Sequence, residues 1–138
     1  MIDREKFVQL LNEDLGTEYQ SIVQYVTHIA TLRGGEFQGL ADELADHLDQ
    51  ELQHALTLAR QIDFLGGVPT TEVPAVQHHD DTRTALESDL DLERRQLDRY
   101  RDRVAQADEM GLPDVAEALS PVLEQTQDHV HELARALE

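Results

Sequence analysis

The sequence predicts an all-α protein in which four long helices form a bundle, with one long crossover between the second and third helices. Apolar residues recur at helical spacing in four stretches. Strand-like alternation and hairpin dipeptides are scarce, and glycine or proline residues separate the stretches. The chain has 138 residues, the length of one domain, so we expect a single domain over residues 1–138.

Two antiparallel helices are predicted for the first half of the chain. They cover residues 3–33 and about 37–65, and each ends at a glycine pair, at 34–35 and at 66–67. Because only a tight turn separates them, the two helices should be antiparallel neighbours. The first apolar stripe comprises Phe7, Leu11, Leu15, Ile22, Val26 and Ile29. The second comprises Phe37, Leu40, Leu44, Leu48, Leu58, Ile62 and Leu65.

Two more helices are predicted after a long connection. Residues 68–81 include Pro69 and Pro74 and show no periodicity before an Asp-Asp-Thr helix start. The third helix should cover 82–109, and the fourth should begin at Pro113. Their stripes contain Leu86, Leu90, Leu97, Tyr100 and Val104, and then Val115, Leu119, Val122, Leu133 and Leu137. An extended connection of about 15 residues reaches roughly 50 Å, so it can cross a bundle about 42 Å long.

Composition narrows the chemistry that the chain can carry. There is no cysteine, so thiol catalysis and iron–sulfur clusters are excluded, and His, Asp and Glu remain as strong metal ligands. The formal net charge of −18 disfavours binding to nucleic acid and anionic membranes. This negative charge suits either a protein surface that attracts cations or a protein adapted to a high salt concentration. No apolar run is long enough for a signal peptide or a membrane span, so we expect a cytoplasmic protein.

Polar residues interrupt each apolar stripe near its middle. Burial of such side chains is costly unless they are paired or bind a metal. The interrupting residues are Glu18 in the first helix, Glu51 and His54 in the second, Glu93 in the third, and Thr126 and His129 in the fourth. If the connection crosses the bundle, the glutamates and the last histidine all lie about 15 or 16 residues from the same end. Without a crossover, their heights would spread over roughly 10 Å.

This set of residues predicts a metal site. Glu51 and His54 are three residues apart, which places a carboxylate and an imidazole on one helix face, near enough to share an ion. Three buried carboxylates without a Lys or Arg at these positions need another cation to neutralise them. The alternative is a hydrogen-bonded polar layer that fixes the register of the helices.

Several segments around these positions agree with one known family. They are LGTE at residues 15–18, ELQHA at 51–55, RQIDFLGGVP at 60–69 and DLDLE at 89–93, with Tyr25 and His28 at matching spacing. Through them the chain resembles the ferritin-like superfamily, and bacterioferritin most of all, over about residues 3–137.

The resemblance implies a site for two iron ions. Glu18 and His54 would hold the first ion. Glu93 and His129 would hold the second, and Glu51 would bridge the two.

Other polar residues lie near these positions. By resemblance, Tyr25 would be a redox-active or hydrogen-bonding neighbour of the site, although its place in the first stripe suits an ordinary core tyrosine equally well. His28 is a candidate for a group beside the ligands or on an access path. The histidines expected at the surface are His47, His78, His79 and His131.

Two positions depart from the family pattern. Thr126 stands where the family has its second bridging glutamate, so three carboxylates would face the four positive charges of two ferrous ions. The protein should therefore bind the second ion less tightly than the first, so that each chain binds either two ions or only one. Asp128 and His131 offer no replacement, because residue 128 is rotated by about 200° from residue 126 and should face solvent. Leu52 stands where bacterioferritins place the haem-ligating methionine, so no haem is expected.

The resemblance implies a ferroxidase that oxidises ferrous iron with oxygen or peroxide, for storage or detoxification. Two alternatives stay open. One is a metal-binding or structural bundle with a degenerate site, and the other is a manganese or mixed-metal oxidase or peroxidase. The sequence ends just after the fourth helix, before the short fifth helix that large cages carry. We therefore expect a homo-oligomer that is a dimer or a small shell, for instance of twelve subunits.

Overall fold

The structure, a computed structural model, describes residues 1–138 and contains four long helices and no strand. The helices are α1 (Arg4–Ala30), α2 (Leu40–Phe64), α3 (Thr82–Glu109) and α4 (Pro113–Ala136), with a 3₁₀ turn at Gly35–Phe37. The predicted all-α class is confirmed. The third and fourth helices begin where predicted, whereas α1 ends at Ala30 rather than 33 and α2 begins at Leu40 rather than 37. No helix is both long and apolar enough to cross a lipid bilayer.

Short-range hydrogen bonds define where the helices begin. The carboxylate of Asp3 accepts the backbone N–H of Lys6 at 2.8 Å, and the carboxylate of Asp81 accepts that of Thr84 at 2.9 Å. These caps satisfy amides that have no partner within α1 and α3. Gly111 adopts a φ of 74°, which side-chain-bearing residues rarely adopt, and so permits the tight turn from α3 into α4.

The connection from α2 to α3 runs along the length of the bundle. Helix α1 packs beside α2 and α3, and α4 packs beside the same two helices. Near the beginning of the connection, the Asn12 side chain donates to the carbonyl of Val68 at 3.0 Å. At the opposite end of α1, the backbone N–H of Arg33 donates to the hydroxyl of Thr82 at 2.9 Å. The predicted crossover is therefore confirmed, and α2 and α3 run in the same direction at opposite corners.

Two apolar clusters fill the two ends of the bundle. The larger has 13 buried residues, including Phe7 and Leu119, and the smaller has six, including Leu44 and Leu133. On every helix the predicted polar interruption lies between the residues of one cluster and those of the other. The polar residues therefore share one layer across the middle of the bundle.

The expectation that Val26 is a core residue is wrong. Its side chain is 51 % exposed, although it continues the apolar stripe of α1. Gln24 and His28 occupy the buried face instead, where both contact Asp89 of α3. Residue 26 is rotated by about 100° from Tyr25 on the buried face of α1, so its side chain faces solvent.

Candidate metal centre

The structure brings the polar residues of the four stripes together in the interior. Each of them is at most 2 % exposed. Helix α1 contributes Glu18, α2 contributes Glu51 and His54, α3 contributes Glu93, and α4 contributes Thr126 and His129.

The five carboxylate and imidazole side chains form two overlapping trios. In the first, His54 Nδ1 lies 3.6 Å from Glu18 Oε1 and 3.9 Å from Glu51 Oε2. In the second, His129 Nδ1 lies 2.9 Å from Glu51 Oε1 and 3.4 Å from Glu93 Oε1. Within each trio, one potential ligand atom from each residue lies within 4.8 Å of the others. Glu51 belongs to both trios, so its two oxygens point to different halves of the site.

Four potential ligand atoms in this layer have no hydrogen-bond partner. They are Oε2 of Glu18, Glu51 and Glu93, and Nδ1 of His54, and all four are buried. Buried polar atoms are normally hydrogen-bonded, so four unpaired atoms in one cluster are unusual. Oxygen and imidazole nitrogen atoms are also the ligands that divalent iron, manganese and zinc accept. The donor set therefore fits a metal site.

Without a metal ion, protons must compensate the carboxylates. Burial, followed by the charges of Glu18 and Glu93, raises the pKa of Glu51 well above its ordinary value. Burial opposes protonation of His54, but the Glu18 carboxylate, 3.6 Å from Nδ1, outweighs it and raises the His54 pKa. Burial also acts to raise the pKa of Glu93, yet its interaction with His129 lowers it overall. Divalent cations would displace the protons that Glu51 and His54 hold.

Two glutamines orient the imidazoles, and sequence reasoning did not identify them. Oε1 of Gln125 lies 2.8 Å from His54 Nε2, and Oε1 of Gln50 lies 2.6 Å from His129 Nε2. An amide oxygen only accepts, so each Nε2 carries a proton and the lone pair of a neutral ring is on Nδ1, which faces the carboxylates. Each glutamine immediately precedes a residue of the layer, at Glu51 or Thr126, which is too weak a signal to detect in the sequence.

Two tyrosines donate hydrogen bonds to the carboxylates. Tyr25 OH donates to Glu93 Oε1 at 3.1 Å, and Tyr100 OH donates to Glu18 Oε1. For Tyr25 this contact agrees with a hydrogen-bonding neighbour rather than a purely apolar core residue. Tyr100 was predicted only as a member of the third apolar stripe. Its spacing of seven residues from Glu93 places it on the same helix face and was the available signal.

The prediction that His47 faces outward is wrong. Its side chain is buried, its Nδ1 lies 3.2 Å from Tyr25 OH, and its ring stacks on that of His129 with 4.1 Å between centroids. The reason is helical geometry, because residue 47 lies one turn before Glu51 on the same face of α2.

The other expected surface histidines lie at or near the surface. His131 and His78 are exposed, and His79 is half-buried. His28 is buried and holds Asp89 through Nδ1 at 2.8 Å, away from the two trios.

The positions that depart from the family pattern have clear environments. The hydroxyl of Thr126 donates to the carbonyl of Val122 at 2.8 Å, so this residue adds no carboxylate to the layer. Asp128 is exposed, as predicted, and is no substitute for it. Leu52 is 48 % exposed on α2, and the expectation that no haem binds there stays a prediction.

The structure is a four-helix bundle with a buried layer of carboxylates and histidines, and the chain belongs to the ferritin-like domain family, whose model matches residues 8–138. It is similar to a solved structure described as ferritin-like, diiron-carboxylate proteins from Bacillus anthracis str. Ames. That match has a TM-score of 0.93 and 33 % identity, and it covers 100 % of this chain and 99 % of the other.

Curated relatives carry two kinds of name. A bacterioferritin of Desulfovibrio desulfuricans is 27 % identical over 128 residues, covering 92 % of this chain and 72 % of the relative. The nutrient stress-induced DNA-binding protein of a Synechococcus species is 28 % identical over 137 residues, covering 92 % and 78 %. The DNA protection during starvation protein of Halobacterium salinarum is 28 % identical over 144 residues, covering 97 % and 79 %. The predicted resemblance to ferritin-like proteins and bacterioferritin is confirmed.

Proposed function

We propose that this protein binds ferrous iron in the central layer and oxidises it with oxygen or peroxide, for storage or detoxification. The observation that carries the proposal is the set of four unpaired ligand atoms on Glu18, Glu51, His54 and Glu93, buried in the middle of the bundle. A polar layer that only fixed helix register would be expected to pair its own donors and acceptors.

Each residue of the layer has a proposed role. Glu18 and His54 bind one ferrous ion, while Glu93 and His129 bind the other. Glu51 bridges them, a role supported by the approach of its carboxylate to both imidazoles. Tyr25 and Tyr100 orient the carboxylates through their hydroxyl groups.

The carboxylates favour oxidation through their charge. Anionic ligands stabilise the ferric product more than the ferrous substrate because the product carries one more positive charge. Two ferrous ions supply the two electrons that reduce one oxygen molecule to hydrogen peroxide, and solvent supplies two protons. Alternatively, the same two electrons reduce one hydrogen peroxide to two water molecules with two protons.

Thr126 makes the two halves of the proposed site unequal. Three carboxylates compensate three of the four positive charges that two ferrous ions carry, so the ion beside Glu93 and His129 is bound more weakly. Two competing functions remain. The first, which the missing carboxylate supports, is a degenerate site that binds one ion without turnover. The second is an oxidase or peroxidase that uses manganese or a mixed-metal pair.

We also propose that the protein works as a homo-oligomer, a dimer or a small shell. Apolar side chains on the outer surfaces of α1 and α2 support this, with Val26 51 % and Leu52 48 % exposed.

The names of two relatives refer to DNA. The net charge of −18 would repel nucleic acid phosphates, so we propose that this chain does not bind DNA directly.

Anaerobic titration with ferrous iron tests the proposal. The metal-free protein should bind two ions per chain with unequal affinities. When oxygen is admitted it should oxidise both ions, and the absorbance of the ferric product measures this oxidation. The variant Glu93→Gln should lose the weaker ion, whereas Asp128→Asn, which removes an exposed charge from α4, should leave both in place. Binding of one ion or none in the parent protein, with oxidation no faster than in buffer, would support the degenerate site instead.

A further inference from the structure

A buried pair of one histidine and one carboxylate lies at the end of the bundle where α1 ends and α3 begins. His28 of α1 contacts both carboxylate oxygens of Asp89 through Nδ1, at 2.9 and 2.8 Å. The side-chain amide of Gln24 donates to the same carboxylate at 3.0 Å. These contacts hold the ring of His28 in one orientation, with Nδ1 towards α3.

The other ring nitrogen of His28 has no hydrogen-bond partner. This Nε2 atom is buried, and the residue as a whole is 3 % exposed. A polar atom buried in this way is normally paired, whether it donates or accepts. His28 belongs to neither trio of the central layer, so the proposed iron site does not explain its unpaired nitrogen. The Nε2 atom therefore needs a separate explanation.

The unpaired nitrogen faces a narrow cleft between α1, the connection and α3. His28, His79 and Asp80 are the lining residues that can bind a metal. Asp89 is not part of the lining, so the ring edge of His28 that faces the cleft is the edge away from Nδ1. The cleft is too narrow to hold a water molecule, so trapped water does not pair with Nε2.

A second imidazole lies across the cleft, at a distance that suits a shared ion. The ring centroids of His28 and His79 are 6.4 Å apart. Two imidazoles that bind one ion through nitrogens about 2.1 Å from the metal have centroids roughly 5–6 Å apart. His79 is half-buried and belongs to the connection rather than to a helix, so a shift of about 1 Å is enough.

The ligand atoms around the cleft indicate the class of ion. A histidine whose Nδ1 is held by a carboxylate and whose Nε2 is free has the arrangement typical of metal-binding histidines. Asp80 adds an oxygen ligand, because its Oδ1 lies 3.0 Å from His78 Nε2 and its Oδ2 is left for the ion. Two imidazole nitrogens with a carboxylate oxygen favour Zn²⁺ and similar transition metals over Mg²⁺ and Ca²⁺, which prefer oxygen ligands.

We propose that His28, His79 and Asp80 form a binding site for a divalent transition-metal ion such as Zn²⁺. The ion ties the end of the connection to the last turn of α1. The side chain of Asp80 is fully exposed, so the ion enters from solvent without passing through the bundle core. The site shares no residue with the central layer, does not depend on iron oxidation and goes beyond the proposed function.

Equilibrium dialysis of the full chain with Zn²⁺ tests this site. Because the central layer is also expected to bind Zn²⁺, the test compares variants that leave that layer intact. His79→Gln should lower the number of ions bound per chain by one relative to the parent. His131→Gln removes an exposed histidine from α4 and is the matched control. It should leave the number of bound ions unchanged.

Two results would overturn this site. One is an equal number of Zn²⁺ ions in His79→Gln and the parent. The other is an equal loss in His131→Gln, which would mean that any exposed histidine binds Zn²⁺. If His79→Gln changes the helical circular dichroism, Asp80→Asn serves instead. It should weaken one ion at least about tenfold, the lower range for changes at a metal site, and an unchanged affinity would again exclude the site.

Discussion

Oε1 of Glu51 in α2 lies 2.9 Å from Nδ1 of His129 in α4, while its Oε2 atom lies 3.9 Å from Nδ1 of His54. One carboxylate thus reaches both halves of the central layer. Its position between two other buried glutamates raises its pKa, so the same residue that would bridge two ions carries a proton when they are absent.

Replacing the bridge should separate metal binding from stability. In Glu51→Gln we expect iron affinity and the rate of ferrous oxidation to fall by at least about 10–100-fold, the usual range for groups that support a metal site. The metal-free variant should be as stable as the parent or more stable, because Gln is uncharged like the protonated carboxyl and folding then requires no uptake of a proton. Anaerobic titration and thermal unfolding of the metal-free proteins measure the two effects. A large loss of metal-free stability would mean that Glu51 serves mainly to hold the fold.

Adding a carboxylate at Thr126 should strengthen the weaker ion. We expect Thr126→Glu to raise the affinity for the second ferrous ion and to speed oxidation, because a fourth carboxylate completes the charge balance. The metal-free protein should lose stability, since position 126 is 1 % exposed and belongs to the buried layer that already contains three glutamates. Thr126→Gln, of nearly the same size as Glu but uncharged, is the matched control and should not strengthen binding. Equal effects of the two variants would contradict the charge argument.

Metal binding should release protons and strengthen as the pH rises. The pKa values of Glu51 and His54 are both raised in the metal-free protein, so both groups hold protons that a divalent ion must displace. Titration with Zn²⁺ in a weak buffer containing a pH indicator should show net proton release near neutral pH. Glu51→Gln should release fewer protons per ion bound. Binding with no proton release would show that the layer is already fully ionised.

A buried ion pair next to the site should make stability depend on pH. Arg103 Nε donates to Asp14 Oδ2 at 2.8 Å, yet burial outweighs this pairing and raises the pKa of Asp14 to about 6 from 3.8. Between these pH values the folded state holds a proton that the unfolded state has lost, so this group's contribution to stability falls as the pH rises from about 4 to about 6.

Removing the arginine should therefore cost more at neutral pH than in mild acid. For Arg103→Leu we expect a loss of about 3–5 kcal/mol in the free energy of unfolding at pH 7.5, because an unpaired charge stays buried. The loss should be smaller at pH 5, where Asp14 accepts a proton. The double variant Asp14→Asn with Arg103→Leu removes both charges and should recover much of the stability. Urea unfolding at the two pH values measures this, and a loss independent of pH would show that Arg103 acts through packing alone.

The helix bounds, to within about three residues, and the common height of the polar residues could be predicted because they depend on local signals. The Asp81 cap, the prolines of the connection and the glycine pairs mark where helices begin and end. Because the connection is long enough to cross the bundle, a rise of about 1.5 Å per residue predicts that the glutamates lie at the same height in the bundle. Neither step needs knowledge of which side chains touch.

The partners of each side chain could not be predicted in this way. His47 belongs to the same face of α2 as Glu51, but only the approach of α4 and α1 gives it Glu132 and Tyr25 as neighbours. Val26 continued an apolar stripe and is nevertheless exposed, because the buried face of α1 there carries Gln24 and His28, which contact Asp89.

By itself, the sequence determined an all-α chain of four helices, the crossover and the residues whose burial needs an explanation. Periodicity and the rise per residue depend on covalent geometry and local hydrogen bonds, so they can be read along the chain. The tertiary structure decided how the helices rotate against each other. It thereby decided that Tyr100, Gln50 and Gln125 hold the central ligands, and that His47 lies between Tyr25 and Glu132. Rotation depends on packing between all four helices at once, which no single stretch of sequence specifies.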